Sequence, residues 1–163
     1  MSPIVIRFLP LSTGRIELEL GVMTADRLSL KTVSFKLDTG SEFTTLSNED
    51  IAKLGYTDAF LQSCKVYGNA SSAAGNVVLQ YIDDVSIKLG DREIQGCRVF
   101  FARGSQLHSL FGSDILRYFN YSVNYDTGEL QMSLAAKAPK LAQGEPQLHI
   151  YPLNQADGDD TAH

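Results

Sequence analysis

A carboxylate suited to acid–base chemistry stands at the end of a predicted strand. Residues 33–37 alternate apolar and polar side chains, which is typical of a half-buried strand, and they lead directly into Asp38. The residues that follow are Thr39, Gly40 and Ser41. The glycine permits a tight turn, and the two hydroxyl groups can hold neighbouring backbone and carboxylate groups. The pattern therefore predicts a carboxylate carried by a rigid element and able to take up or release a proton.

The elements around this carboxylate are predicted from period-two alternation and from turn signals. Strands are expected at residues 4–9, 16–20, 33–37, 43–46, 64–67, 77–82, 85–89, 94–101, 110–111, 121–125 and 130–134. Ser47 is a suitable N-cap for a short helix that Gly55 ends. Ser113 or Asp114 is expected to cap a second short helix. The predicted fold class is mostly β, with one or two short helices.

Length and composition restrict the class of protein that this chain can be. The 163 residues, 44% hydrophobic and 20% charged, suit one globular domain, which we place at residues 1–135. Residues 136–163 are interpreted as a C-terminal extension that is partly disordered, because its end is acidic and polar. The net charge of −5 disfavours nucleic-acid binding, and no apolar run approaches the roughly 20 residues that cross a bilayer. We therefore expect neither nucleic acid nor a membrane among the partners.

The cysteines and histidines point to no metal or cofactor. Cys64 and Cys97 lack a C-x-x-C spacing, and His108, His149 and His163 lack the spacing of metal ligands. The N-terminus shows no signal-peptide pattern. We therefore expect reduced thiols, a cytoplasmic location, and a site that uses neither a metal nor a cofactor.

Two separated motifs resemble those of one family. Residues 35–41, Phe-Lys-Leu-Asp-Thr-Gly-Ser, resemble the active-site loop of aspartic proteases. The strand that passes behind that loop in the same fold is matched by Leu110, Phe111 and Gly112. Across about residues 4–134, the order of strands, loop, helices and hairpins is similar to that of the retropepsin-like single-domain proteases. The resemblance implies a closed acid-protease barrel and an aspartic endopeptidase that acts on extended peptides.

A segment of small residues stands where this family places its flap, the hairpin that covers the substrate. The candidate flap residues are Asn69, Ala70, Ser71, Ser72, Ala73, Ala74 and Gly75. The same composition suits a plain surface loop, and both interpretations stay open.

A second Asp-Thr-Gly, residues 126–128, is interpreted as a hairpin turn. It lies between two alternating runs, where aspartate and glycine are common turn residues. Glu129 follows it in place of the Ser or Ala of the family loop, and only 35 residues remain, too few for a second lobe. Each chain therefore has one working motif. The resemblance implies a homodimer that pairs the Asp38 carboxylates of two chains.

In such a homodimer the two carboxylates share one proton and activate a water molecule against the scissile carbonyl. The resemblance implies that Thr39 cross-links the two loops by hydrogen bonds. Ser41 stands where most retroviral members carry alanine. We expect its hydroxyl to donate to the Asp38 carboxylate and so to favour an acidic pH optimum.

Other polar and aromatic residues have simpler interpretations. Asp114 is expected to be a helix cap rather than a catalytic acid, and Tyr118, Tyr121 and Tyr125 are expected to pack in the core and sheets. The alternative function is a catalytically silent retropepsin-like module that binds a peptide or dimerises. Residues 147–153 either add a strand at a dimer interface or stay unstructured.

Overall fold

Strands dominate the chain, as the alternating pattern predicts. The structure, a computed structural model, describes residues 2–8, 14–72 and 75–153. The strands are β1 (Ile4–Arg7), β2 (Glu17–Met23), β3 (Leu30–Leu37), β4 (Val66–Ser72), β5 (Gly75–Leu89), β6 (Arg92–Phe101), β7 (Leu110–Phe111), β8 (Phe119–Asn124), β9 (Glu129–Leu134) and β10 (His149–Pro152). The helices are α1 (Asn48–Lys53), α2 (Asp58–Ser63) and α3 (Ser113–Leu116).

The described residues form three short helices, where the sequence predicts one or two. Helix α1 begins as predicted, because the Ser47 side chain caps it by accepting a hydrogen bond from the Asp50 amide. Gly55 follows the end of α1 with a φ of 93°, which glycine adopts without strain. Helix α2 is not evident from the sequence pattern, because it buries only Leu61. No helix among the described residues is long and apolar enough to cross a membrane.

Two sheets carry the fold. One has the strand order β10-β6-β5-β2-β3-β7, with β4 paired to β5, and the other has the order β1-β9-β8. Most neighbours are antiparallel, but β3 and β7 are parallel, with Lys36 opposite Leu110 and Leu37 opposite Phe111. Because parallel strands end at the same edge, the residues that follow β3 and β7 are brought to one place.

The larger of two apolar clusters joins the two sheets. Leu18 and Phe35 of the larger sheet and Leu130 and Met132 of the smaller sheet all belong to it and are almost fully buried. Phe35 and Phe111 meet edge to face, with their ring centroids 6.2 Å apart. Burial of each such ring stabilises the fold by about 1.5–3 kcal/mol. The core therefore fixes β3 against β7 directly beneath the loop that follows β3.

Part of the segment after residue 135 packs back onto the sheet. Strand β10 pairs with β6, with Ile150 opposite Ile94, and Leu148 is buried. The unstructured alternative for residues 147–153 is therefore wrong for residues 149–152, which extend a sheet of their own chain. The acidic end predicted to be disordered, residues 157–163, lies outside the described residues, as does residue 9 of the first predicted strand.

Candidate active site

Asp38 leaves the end of β3 in a half-buried position held by backbone hydrogen bonds. Its amide donates to the Phe111 carbonyl over 3.1 Å, which extends the pairing of β3 with β7 by one residue. Its carboxylate Oδ1 accepts a hydrogen bond of 3.0 Å from the Gly40 amide, and its carbonyl accepts one from the Ser41 amide. The carboxylate is thus oriented by the loop itself. Thr39 lies exposed at the tip of this loop.

The Ser41 hydroxyl closes the loop rather than touching the carboxylate. It donates to the Phe43 carbonyl over 2.8 Å and accepts a bond of 3.3 Å from the Phe43 amide. The predicted hydrogen bond from Ser41 to Asp38 is therefore wrong for the structure of this chain. The physical reason is local, because a serine hydroxyl readily bonds backbone groups two residues away.

Gly112 packs directly against the backbone of this loop. A Cβ at this position would lie 2.5 Å from the Phe43 carbonyl oxygen and 2.9 Å from the Ser41 carbonyl oxygen. The backbone continues the contact, since the Ser113 amide donates to the Ser41 carbonyl over 2.8 Å. The structure therefore places the strand of Leu110 and Phe111, with the glycine after it, directly behind the Asp38 loop.

Asp114 is not a helix cap. Helix α3 begins after Gly112, which makes no side-chain cap, so the prediction of Ser113 or Asp114 as the cap is wrong. The Asp114 carboxylate instead accepts hydrogen bonds from the amide and the hydroxyl of Thr44, at 2.9 and 2.6 Å. Burial raises the pKa of Asp114, and the hydrogen bonds from Thr44 partly oppose that rise. This carboxylate ties α3 to the segment that follows the loop.

A cavity of about 730 Å³ lies above Asp38. Its described lining includes the loop, the segment before β7, and residues of β4 and β5, among them Ala70, Ser71, Val77 and Leu79. Strands β4 and β5 form a hairpin in which Ser72 is opposite Gly75. Candidate flap residues 69–72 and 75 therefore belong to this hairpin, whereas Ala73 and Ala74 lie outside the described residues.

Asp38 is the one carboxylate among the described residues that line this cavity. The charged or titratable residues beside it there are Arg15, Lys36 and His108. Within the described ranges, no three histidine, cysteine or acidic residues gather in a group that could hold a metal ion. The described part of one chain therefore supplies a single carboxylate to this cavity.

The second Asp-Thr-Gly is a turn, as predicted. It joins β8 to β9 in the smaller sheet, where the side-chain carbonyl of Asn124 accepts hydrogen bonds from the amides of Asp126 and Thr127. Gly128 has a φ of 68°, and its carbonyl accepts a bond from the Phe8 amide. These contacts place it in a different sheet from the Asp38 loop.

The three tyrosines around this turn follow the packing prediction only in part. Tyr118 packs against the core, and Tyr125 meets the Phe8 ring edge to face at 6.1 Å. Tyr121 on β8 and Tyr125 just after it are nevertheless both exposed, at 38% and 54%, so the packing prediction is wrong for these two rings. The exposure of Tyr121 follows from the burial pattern of β8, which is buried chiefly at Phe119.

Comparison with known proteins supports this geometry. The sequence model of the aspartyl protease family matches residues 22–115, a stretch that contains the Asp38 loop and Gly112 but not the turn at 126–128. The crystal structure of a retropepsin-like aspartic protease from Rickettsia conorii is similar, with a TM-score of 0.57 and 21% sequence identity, over 80% of this chain and 98% of that chain. No curated protein matches the chain. The predicted mostly β, retropepsin-like fold is confirmed.

Proposed function

This chain belongs to the aspartyl protease family, and we propose that it is an endopeptidase that works as a homodimer, with Asp38 of each protomer supplying one catalytic carboxylate. One observation carries the proposal. Among the described residues, Asp38 is the one carboxylate that lines a cavity of about 730 Å³, and the Gly40 amide holds it in place. A two-fold axis through the loop would bring its counterpart from a second chain against it.

The proposed chemistry is general acid–base catalysis by two carboxylates. Two such groups a few ångströms apart share one proton, because both cannot readily ionise together. The ionised Asp38 takes a proton from a water molecule, which attacks the scissile carbonyl carbon. The protonated Asp38 of the other protomer donates to the developing oxyanion. Breakdown of the tetrahedral intermediate expels the amine, which leaves with a proton from the pair, and no covalent enzyme intermediate forms.

The loop and the hairpin have proposed supporting roles. Thr39 is exposed at the loop tip, which suits a hydrogen bond to the loop of a second protomer. The β4–β5 hairpin lines the cavity with Val77 and Leu79, and we assign it the role of a flap over an extended peptide. A peptide in that position would lie as a strand between flap and loop, with its backbone groups paired.

The cysteines support a reducing compartment. Cys64 and Cys97 are both free thiols, and Cys97 is fully buried. Free thiols are typical of proteins kept in a reducing environment, so we assign the protein to the cytoplasm.

Peptide cleavage by matched variants tests the proposal. The wild type, Asp38→Asn and Asp126→Asn are incubated with a library of fluorogenic peptides across acidic to neutral pH, and the oligomeric state is measured alongside. The control makes the same chemical change in the same tripeptide, but in the β8–β9 turn. We expect cleavage by the wild type and by Asp126→Asn, and none by Asp38→Asn. Cleavage that survives in Asp38→Asn, or a dimer that cleaves nothing at any pH, would overturn the proposal, and the latter result would favour a silent peptide-binding module.

A further inference from the structure

A cavity of about 480 Å³ lies beside helix α2, and none of the described residues that line it also lines the Asp38 cavity. Three parts of the chain contribute to it, namely the turn between β2 and β3, the stretch 55–65 that contains α2, and residues 81–83 of β5. Its volume falls within the range of sites that take small molecules, about 300–1,000 Å³. The cavity is therefore a candidate binding site outside the proposed peptidase chemistry.

Hydrogen bonds hold the walls of this cavity together. Gln80, which is buried on β5, donates from its side-chain amide to the carbonyls of Leu61 and Cys64, at 3.0 and 3.1 Å. The Tyr81 amide adds a bond of 3.2 Å to the Lys65 carbonyl. These bonds fix α2 against β5, so the cavity has a defined shape.

One wall of the cavity is a pair of stacked aromatic rings. The rings of Tyr56 and Phe60 lie 5.3 Å apart, centroid to centroid, with an angle of 24° between their planes. Phe60 is 44% exposed, so part of its ring is accessible to a ligand. Aromatic groups pack on such rings in offset-stacked or edge-to-face arrangements. This wall therefore favours a flat aromatic ligand over a branched aliphatic one.

The polar groups that have bonding capacity left in this cavity are hydrogen-bond donors. The Arg27 guanidinium uses one of its five N–H groups, in a bond of 3.0 Å to the Asp84 carbonyl. Within the described part of the chain, the Lys65 ammonium and the Tyr56 hydroxyl have no hydrogen-bond partner. Burial raises the pKa of Tyr56, and the nearby Arg27 guanidinium opposes that rise. The Tyr56 hydroxyl therefore stays protonated at neutral pH and can donate.

The other polar side chains of this cavity are already paired. Both carboxylate oxygens of Asp83 accept bonds from Arg98, at 2.6 and 3.2 Å, so its negative charge is balanced. Three smaller side chains bond backbone groups of Phe60, namely Thr57, Ser63 and Cys64. The free donors therefore have no unpaired carboxylate beside them among the described lining residues, and an anionic ligand complements them.

We propose that this cavity binds a small planar aromatic carboxylate, with its ring against Phe60 and its carboxylate bonded by Arg27 and the Tyr56 hydroxyl. Lys65 adds a second positive charge to the same cavity. The inference goes beyond the proposed function, because every group it uses lies outside the lining of the Asp38 cavity.

Binding of indole-3-acetate to the full chain tests the inference. The chain has no tryptophan, so indole emission reports on the ligand. We expect saturable binding with a blue shift of that emission. Three related compounds identify the recognised groups, because indole-3-acetamide lacks the charge, tryptamine reverses it, and cyclohexylacetate lacks the aromatic ring. Each should bind about tenfold more weakly or worse, and cyclohexylacetate is measured by its displacement of indole-3-acetate.

Variants of the cavity then locate the ligand. Arg27→Gln removes the guanidinium, Tyr56→Phe removes only a hydroxyl, and Phe60→Ala removes an exposed ring. All three are expected to fold, because Arg27 and Phe60 are exposed and Tyr56→Phe keeps its stacked ring. Binding of indole-3-acetate should weaken about tenfold in Arg27→Gln and Phe60→Ala and about threefold in Tyr56→Phe. Arg103→Gln is the matched control, because it removes an exposed arginine that lies outside this cavity.

The outcomes are independent of peptide cleavage. Saturable binding that needs the carboxylate, the aromatic ring and the three cavity side chains would support the inference, even where the proposed catalysis fails. No binding of indole-3-acetate, equal binding of the three related compounds, or cavity variants that bind no worse than Arg103→Gln would each overturn it. Asp38→Asn should bind indole-3-acetate as tightly as the wild type does, because Asp38 lies outside this cavity.

Discussion

Thr44 and Asp114, 70 residues apart in the sequence, are joined by two hydrogen bonds that end on the two oxygens of one carboxylate. The Thr44 hydroxyl also accepts a bond of 3.1 Å from the Gly112 amide. Thr44 is fully buried, so each of these groups would be unsatisfied without the others. The loop that carries Asp38 and the helix α3 are therefore one hydrogen-bonded unit.

The titration of Asp114 should be visible in the stability of the fold. Burial raises its pKa above the ordinary value of 3.8, so the folded chain binds the proton more tightly than the unfolded chain. Its contribution to the free energy of unfolding is therefore largest at low pH. The contribution falls as pH rises from about 3.8 through the pKa of the folded chain, and above that pKa it is constant. Asp114→Asn lacks this dependence. We therefore expect the stability difference, variant minus wild type, to increase with pH across this window. Urea denaturation at several pH values measures the free energy of unfolding of each protein. A difference that is flat or falls with pH would contradict a raised pKa for Asp114.

Gly112→Ala should disrupt the site through the backbone. The new Cβ would lie 2.5 Å from the Phe43 carbonyl oxygen, and backbone atoms cannot move aside as a side-chain tip can. We expect a loss of about 3 kcal/mol or more in stability and near-complete loss of peptide cleavage. Gly104→Ala is the control, because no atom lies within 4 Å of its added Cβ and only its φ of 72° opposes the change, at about 1–2 kcal/mol. Equal losses in the two variants, measured by urea denaturation, would argue against the close packing.

Ser41→Ala should alter the rate of cleavage without shifting its pH dependence. The Ser41 hydroxyl bonds the backbone of Phe43 and not the Asp38 carboxylate. The substitution removes both bonds, each worth about 1 kcal/mol, so the loosened loop should lower kcat/KM by up to about thirtyfold. The apparent pKa values of the pH–rate profile should match those of the wild type. A profile displaced to higher pH would instead support a direct hydrogen bond between Ser41 and Asp38.

Mixed dimers should show whether cleavage needs the Asp38 carboxylates of both chains. Wild type and Asp38→Asn are unfolded, mixed in equal amounts and refolded together. With random pairing, about half of the wild-type chains enter mixed dimers, so activity per wild-type chain should fall to about half. Addition of Asp126→Asn in place of Asp38→Asn should cause no such fall. An activity per wild-type chain that is unchanged by Asp38→Asn would show that each chain acts alone.

Signals that are local in the sequence predict much of this structure. The run into Asp38, the Ser47 cap with Gly55 after the helix, and the turn at 126–128 each depend on residues a few positions apart, and the structure contains all three. The Leu-Phe-Gly strand is a longer-range prediction. It depends on the order of two motifs in a known fold rather than on the residues alone.

Features that depend on distant partners are not predictable from such patterns. Asp114 is of a residue type that commonly caps helices, but its hydrogen-bond partner Thr44 lies 70 positions away in the chain. Helix α2 has one buried residue, Leu61, and so shows no apolar stripe, although the Gln80 amide anchors it by bonding the Leu61 carbonyl. Residues 142–148 contain Gly144 and Pro146, which indicate a loop but not the ion pair between Glu145 and Arg117 that holds it.

The parallel pairing of β3 with β7 has a consequence for the timing of synthesis. It joins Lys36 to Leu110, which are 74 positions apart, and the Asp38 loop is complete only when Gly112 is beneath it. At roughly 5–20 residues per second, a ribosome adds that intervening chain in about 4–15 s. The Asp-Thr-Gly-Ser segment is therefore synthesised before β7 and Gly112, which support it in the folded chain. The nascent chain therefore passes through a stage in which the rest of the sheet can begin to form while the Asp38 loop is not yet formed.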